Sequence, residues 1–259
     1  MCYLDSLFSL SGKTAVVTGG TGVLGGEMAT TLAKAGAYAV LVGRNADKGA
    51  EVLKGIEAAG GTGEVFTADM TQRGDVEKLA FHLAENGKPC DILVNAAGVN
   101  AATPFLEIPD DEWARIFNVN LDSVRIACQI FGKAMLDRGA GGSIINIASM
   151  SAITPLSKVF TYAASKAALL NLTQNLAREW APQKIRVNAI SPGFFPAEQN
   201  KKILTPERVA DIMRHTPMDR FGESHELAGA TLLLASEAAG SFVTGHNLVV
   251  DGGFSAMTI

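Results

Sequence analysis

The sequence is short of the residues that would mark a stapled, metal-bound or membrane-spanning chain. Cysteine occurs three times in 259 residues, at Cys2, Cys90 and Cys128, with no C-x-x-C pair. An odd, scattered set excludes a disulfide framework and predicts reduced thiols in a cytoplasmic protein. The four histidines, His82, His215, His225 and His246, have no paired spacing, so no metal site is expected. No apolar run approaches the roughly 18–20 residues of a membrane span. The opening MCYLDSLFSLSGK carries Asp5 and no basic region ahead of an apolar core, so it does not read as a secretory signal. Positive charge is also in deficit. Lys plus Arg total 22 against 26 Asp plus Glu, a formal net charge of -4, which gives no electrostatic reason to hold a polyphosphate backbone. These absences predict a soluble protein with a small-molecule substrate and neither a nucleic-acid nor a membrane partner.

What is present is a regular alternation. The β-branched runs TAVVT (14–18), YAVLV (38–42), EVFT (64–67), ILVN (92–95), SIINI (143–147), RVNAI (186–190) and NLVV (247–250) are separated by helical patterns. Those patterns cover about 26–35, 48–59, 76–85, 110–138, 162–180 and 226–235. Continuous apolar strands alternating with helices predict an α/β fold: one doubly wound, Rossmann-like domain over 1–259, its parallel sheet covered on both faces. Ligands then belong at the carboxyl ends of the strands. Residues 194–218 are the least regular late stretch and follow a strand end, a position that suits a substrate lid.

The loop after the first strand holds Gly19, Gly20, Gly22, Gly25 and Gly26 and opens a helix. Glycines there let the backbone approach a pyrophosphate, and the helix N-terminus offers free N–H groups. The second strand ends in Gly43–Arg44–Asn45, without the acidic residue that accepts a ribose 2′-OH in NAD-preferring folds. A guanidinium pairs well with a 2′-phosphate, so NADP is expected, with NAD the alternative.

Tyr162 and Lys166 lie four apart, on one helix face. An adjacent ammonium lowers the pKa of a phenol, and such a phenol can exchange a proton with an alcohol or ketone oxygen. Ser149, thirteen residues earlier, follows the fifth strand. Its hydroxyl suits either the same substrate oxygen or a helix cap. Asn120 falls mid-helix, where asparagine is a poor former. It reads equally as an exposed residue or as the holder of a water joining Lys166 to solvent.

The order of these parts resembles the short-chain dehydrogenase/reductase family over almost the whole chain. The matching stretches are TGGTGVLG (18–25), DMT (69–71), NAAG (95–98), NVN (118–120), Ser149, YAASK (162–166), IRVNAISPG (185–193) and VDGG (250–253). The resemblance implies hydride transfer between a nicotinamide and a carbonyl or alcohol carbon. It assigns Tyr162 as general acid/base, Lys166 as pKa tuner and ribose binder, Ser149 as oxyanion partner and Asn120 as water holder. It places the cofactor against Gly19, Thr21, Gly22, Val23 and Leu24, with Arg44 and Asn45 at the ribose. Asp69 and Met70 would flank the adenine, Asn95, Ala96, Ala97 and Gly98 would border the cofactor, and Pro192 and Gly193 would approach the nicotinamide. It also implies a homotetramer. Two positions depart from the family pattern: Val23 stands where the middle glycine of TGxxxGxG belongs, and Ala197 stands where a cofactor-binding threonine follows PG.

MSAITPLSK (150–158), PGFF (192–195), HTPMDRFGE (215–223) and DGGFSA (251–256) are similar to enzymes of the D-mannonate oxidoreductase (fructuronate reductase) and gluconate 5-dehydrogenase type. That implies a keto sugar acid or polyol, with Asn100, Gln199 and Asn200 joining Ser149 and Tyr162 as substrate contacts. A 3-oxoacyl thioester reductase is the enzymatic alternative, and a nucleotide-sensing scaffold on the same fold is the non-enzymatic one.

Overall fold

The computed structural model describes residues 2–195 and 205–257. Seven strands form one sheet: β1 (Thr14–Thr18), β2 (Tyr38–Gly43), β3 (Thr62–Thr67), β4 (Ile92–Asn95), β5 (Gly142–Ile147), β6 (Ile185–Pro192) and β7 (Asn247–Val250). Their order is β3-β2-β1-β4-β5-β6-β7, and each neighbouring pair is parallel. The chain reverses direction across the sheet between β1 and β4, and the crevice at that switch point is where such sheets bind ligands.

Alternate strand residues feed two cores, as a sheet buried on both faces requires. Val16, Val40, Leu93, Ile144 and Val187 face one core, with Leu79, Phe131 and Leu169 packed on them from helices. Val17, Leu41, Val94, Ile145 and Ile190 face the other, covered by Met28, Leu32 and Leu234. Each of these large side chains is fully buried, which contributes about 1.5–3 kcal/mol apiece before conformational entropy is counted.

The helices are α1 (Tyr3–Phe8), α2 (Val23–Lys34), α3 (Ala46–Ala58), α4 (Arg73–Glu85), α5 (Asp110–Phe117), α6 (Ser123–Arg138), α7 (Phe160–Trp180), α8 (Pro206–His215), α9 (Ala228–Ala235) and α10 (Glu237–Gly240). Three features differ from the periodicity reading. The single helix expected over 110–138 is two, α5 and α6, joined by a π-helical turn over Asn118–Asp122. α1 was not anticipated. The segment read as irregular contains α8, ten residues long, with Thr205 as N-cap and Pro206 at its first turn. Its local signals are conventional, since Thr-Pro opens helices; the absence of a long apolar run concealed them.

Among the described residues no helix is long and apolar enough to cross a membrane. No group of three or more His, Cys, Asp or Glu is placed to hold a metal ion there.

Candidate active site

A cavity of about 1040 Å³ runs along the carboxyl ends of the strands, from the glycine loop to Tyr162. One end is built from backbone. Gly19 has φ +68, and a Cβ on it would stand 2.8 Å from the amide nitrogen of Ala97. A Cβ on Gly25 would lie 2.3 Å from the carbonyl oxygen of Gly19. Only hydrogen fits at either position, so the loop, the start of α2 and the NAAG segment close on each other. Gly22 is the N-cap of α2. Val23, the departure from the family pattern, takes the first helical position with its side chain 47% exposed. It is absent from the positive-φ residues, so the helix opens without a glycine there.

Gly19, Thr21, Gly22, Val23, Leu24, Arg44, Asp69 and Met70 line this end, as do Ala96, Ala97 and Gly98. Pro192 and Gly193 line the cavity further on. Two sequence-predicted contacts are placed elsewhere. The Oδ1 of Asn45 accepts the backbone N–H of Lys48 at 2.9 Å, so Asn45 caps α3 and does not line the cavity. Asn95 is 1% exposed beneath the loop. Its Nδ2 donates to Asn146 Oδ1 at 2.9 Å, and Asn146 Nδ2 donates to Thr173 Oγ1 at 2.9 Å, tying β4 and β5 to α7. Lys48, which the sequence reading passed over, does line the cavity beside Arg44. Gly43 is required here, because a Cβ would meet Thr21 Oγ1 at 2.5 Å. A larger residue there would have to displace the Thr21 side chain.

The opposite end is built from side chains. Tyr162 and Lys166 project from the first turns of α7, and Ser149 caps the 3₁₀ turn Met150–Ala152. The Ser149 oxygen accepts the Ser151 N–H at 3.1 Å and the Ser151 hydroxyl at 2.9 Å. A hydroxyl oxygen has two acceptor sites and one proton. With both acceptor sites occupied, the proton is left to point elsewhere, and the Ser149 hydroxyl lies near enough to the Tyr162 phenol to draw its pKa down. Ser151, which sequence reading missed, holds the Ser149 oxygen; its only signal was a second serine in the run ASMSA.

Lys166 is 4% exposed, and its Nζ donates to the Ile147 carbonyl at 2.7 Å. Burial pulls its pKa down to about 8. Nζ lies 5.7 Å from the centroid of the Tyr162 ring. The expectation that this ammonium lowers the phenol's pKa is not met by the cavity alone. Burial holds Tyr162 above its ordinary value, and the nearby Ser149 hydroxyl offsets this only in part. Desolvation acts on both groups, favouring the neutral phenol and weakening the cation that was to tune it.

Asn120 is fully buried. Its Nδ2 donates to the Val99 carbonyl at 2.9 Å and to Ser165 Oγ at 3.0 Å, and its Oδ1 accepts the Val99 N–H at 2.8 Å. The π turn that carries it, a feature common at functional sites, swings this amide against the NAAG loop. A Cβ on Gly98 would stand 3.4 Å from Asn120 Oδ1 and 3.5 Å from Lys166 Nζ, so the two flank that glycine. Both amide protons are engaged, so the side chain has no free proton to give a water. Asn100 lines the cavity, with Oδ1 accepting the Ala101 N–H at 2.8 Å. Gln199, Asn200 and Ala197 lie outside the described residues.

Comparisons with known proteins agree with this geometry. A family model described as enoyl-(acyl carrier protein) reductase matches residues 21–255. The 2-dehydro-3-deoxy-D-gluconate 5-dehydrogenase of Bacillus subtilis (strain 168) is 40% identical over 256 residues, covering 98% of this chain and 99% of that protein. The galactitol 2-dehydrogenase (L-tagatose-forming) of Cereibacter sphaeroides is 40% identical over 256 residues, covering 96% of this chain and 98% of that protein. The crystal structure of a gluconate 5-dehydrogenase from Burkholderia cenocepacia J2315, in complex with NADP and tartrate, superimposes with a TM-score of 0.93 at 32% identity. It covers 99% of this chain and 100% of that one. With the Tyr162–Lys166–Ser149 constellation at the mouth of a dinucleotide-type crevice, the chain belongs to the short-chain dehydrogenase/reductase family of NAD(P)-dependent oxidoreductases that act on CH–OH groups.

Proposed function

We propose that the protein interconverts the ketone and alcohol forms of a sugar acid or polyol, with NADP(H) as its nicotinamide. One observation carries the reading: a cavity whose closed glycine end suits a dinucleotide opens at its other end on Tyr162, Ser149 and Lys166. The substrate class is supported by relatives that act on gluconate derivatives and galactitol. The preference for NADP is supported by Arg44 and Lys48 on the cavity wall and by the absence of an acidic residue at 43–45. Arg44 offers a planar fork to a phosphate, and Lys48 adds a point charge.

The residues present fit that cofactor. Gly19 and Gly25 leave no bulk over the loop, and Ala96 to Gly98 present small residues opposite. The reduced nicotinamide, when bound, supplies the hydride. The chain's own groups manage the oxygen and its proton. Tyr162, held protonated by burial, is in the form that donates its Oη proton to a carbonyl oxygen. Ser149, its proton directed outward by Ser151, hydrogen-bonds the same oxygen as negative charge develops. The Lys166 ammonium, fixed to Ile147, stabilises the phenolate that remains. Asn120 holds Val99, and with it the loop that borders Gly98 and Lys166.

A second reading has one observation in its favour. Phe194, Phe195, Phe221, Leu156 and Val159 make much of the substrate-side wall apolar, which would suit an acyl thioester. A spectrophotometric panel separates the two. Keto sugar acids, polyols and acetoacetyl thioesters are each assayed with both nicotinamides. Turnover of sugar acids or polyols, better with NADP(H), is the expected result, and Arg44→Ala raises the KM for NADP about tenfold while changing that for NAD little. Turnover of thioesters alone reverses the order, and tight nucleotide binding without turnover of any panel member supports a scaffold.

A further inference from the structure

Arg208 stands in the first turn of α8, and its side chain lines the cavity on the side of the Ser149–Tyr162 loop. The N-terminal turn of a helix carries partial positive charge and favours acidic residues. Glu207 meets that preference in the same turn, beside Arg208. Both side-chain hydrogen bonds of Arg208 to described residues go to neutral oxygens of Ser157, Nη1 to Oγ at 3.0 Å and Nη2 to the carbonyl at 3.4 Å. Neither partner is charged. The other basic residues on the described cavity wall are Arg44 and Lys48 at the glycine end, and Lys166, whose Nζ is bound to Ile147. The guanidinium is therefore the one permanent cation among the described residues on the substrate side.

From this placement we infer that Arg208 receives the carboxylate of the substrate and so sets a preference for sugar acids over neutral polyols. The inference rests on the proposed substrate class and narrows it. A guanidinium has five donors, and the Ser157 contacts occupy two of them. A planar edge remains for two parallel N–H···O bonds to a carboxylate, the arrangement in which arginine exceeds lysine. The arriving anion would also meet the positive end of α8, whose Thr205 cap and Pro206 start hold the helix in register. Ser157 keeps the fork over the site, joining α8 to the loop that carries the catalytic serine.

The test measures binding rather than turnover, so it stands apart from the substrate panel. Gluconate is titrated calorimetrically into the protein saturated with NADPH, a combination of alcohol and reduced cofactor that cannot react; sorbitol, the neutral counterpart, is titrated in parallel. Wild type is expected to bind gluconate more tightly than sorbitol. Arg208→Gln should weaken gluconate about 10- to 100-fold and sorbitol less than about threefold. Arg208→Lys should recover part of the loss, and Ser157→Ala, which keeps the guanidinium, should cost less than Arg208→Gln. The inference is overturned by equal losses for gluconate and sorbitol, by unchanged gluconate affinity in Arg208→Gln, or by a wild type that does not bind gluconate. A Ser157→Ala loss as large as that of Arg208→Gln would also overturn it, since Arg208 would then act only by pinning α8. If wild type binds gluconate through Arg208 but turns over no sugar acid or polyol, the proposed function fails and what stands is a carboxylate-binding role for Arg208.

Discussion

The two ends of the cavity are made by different means. The glycine end is shaped by what is missing: hydrogens at Gly19 and Gly25 let three backbone segments touch, and an added Cβ would meet carbonyl or amide atoms at 2.3–2.9 Å. The catalytic end is shaped by side chains that are held in place, Ser149 by Ser151, Lys166 by Ile147 and Asn120 by Val99. Backbone closure tolerates no substitution but any ligand with the right phosphates. A side-chain chain of hydrogen bonds tolerates substitution structurally but loses chemistry link by link. Damage at the first end should therefore appear as lost stability and cofactor affinity, and damage at the second as lost turnover.

The largest effects lie at the catalytic end. Ser149→Ala removes the hydroxyl proposed to meet the developing oxyanion, and kcat should fall about 10²–10³-fold with cofactor affinity unchanged. Stopped-flow turnover alongside a nucleotide fluorescence titration reads both. A parallel loss of nucleotide affinity would erase the distinction between the ends. Next comes Gly25→Ala, whose methyl must displace the Gly19 carbonyl. It should lower stability by about 1–3 kcal/mol, or several degrees in Tm, and weaken nucleotide binding before it affects chemistry. Calorimetric melting of the two proteins checks this, and an unchanged Tm would mean that the loop is not close-packed.

The smallest effect is a pH limb. Lys166 is charged below about pH 8 and neutral above it. The phenolate left by proton donation loses its cation partner as pH rises, so kcat/KM for carbonyl reduction should decline above about pH 8. Lys166→Arg, permanently charged, should shift that limb upward. Stability moves the other way. Burying the ammonium is unfavourable below its folded pKa of about 8, and the penalty is relieved between there and its ordinary 10.5, so this group's contribution to stability rises over that window.

Legibility in the sequence follows the same division. Glycines after β1 announce themselves, because so few reasons exist for five of them in eight residues. All seven strands were readable from short β-branched runs, each within a residue or two of its observed bounds. Tyr162 and Lys166 were readable because four residues apart means one helix face. Asn120 could be flagged but not placed, since an α pattern and a π turn look alike in hydrophobic spacing. Asn45 and Asn95 were misplaced for a common reason: a polar residue at a strand end can face ligand, cap a helix or join strands, and only packing decides. Arg208 was not legible at all. Its contact with Ser157 spans 51 positions, and nothing local distinguishes a cavity cation from a solvated one.

One measurement bears most directly on the division between the ends. Tyr162→Phe removes a single oxygen from the substrate side and none from the nucleotide side. Turnover on the preferred substrate should drop by roughly 10³-fold or more while the nucleotide dissociation constant stays within about threefold. A variant that keeps most of its rate would contradict the assignment of the phenol as the proton-exchanging group.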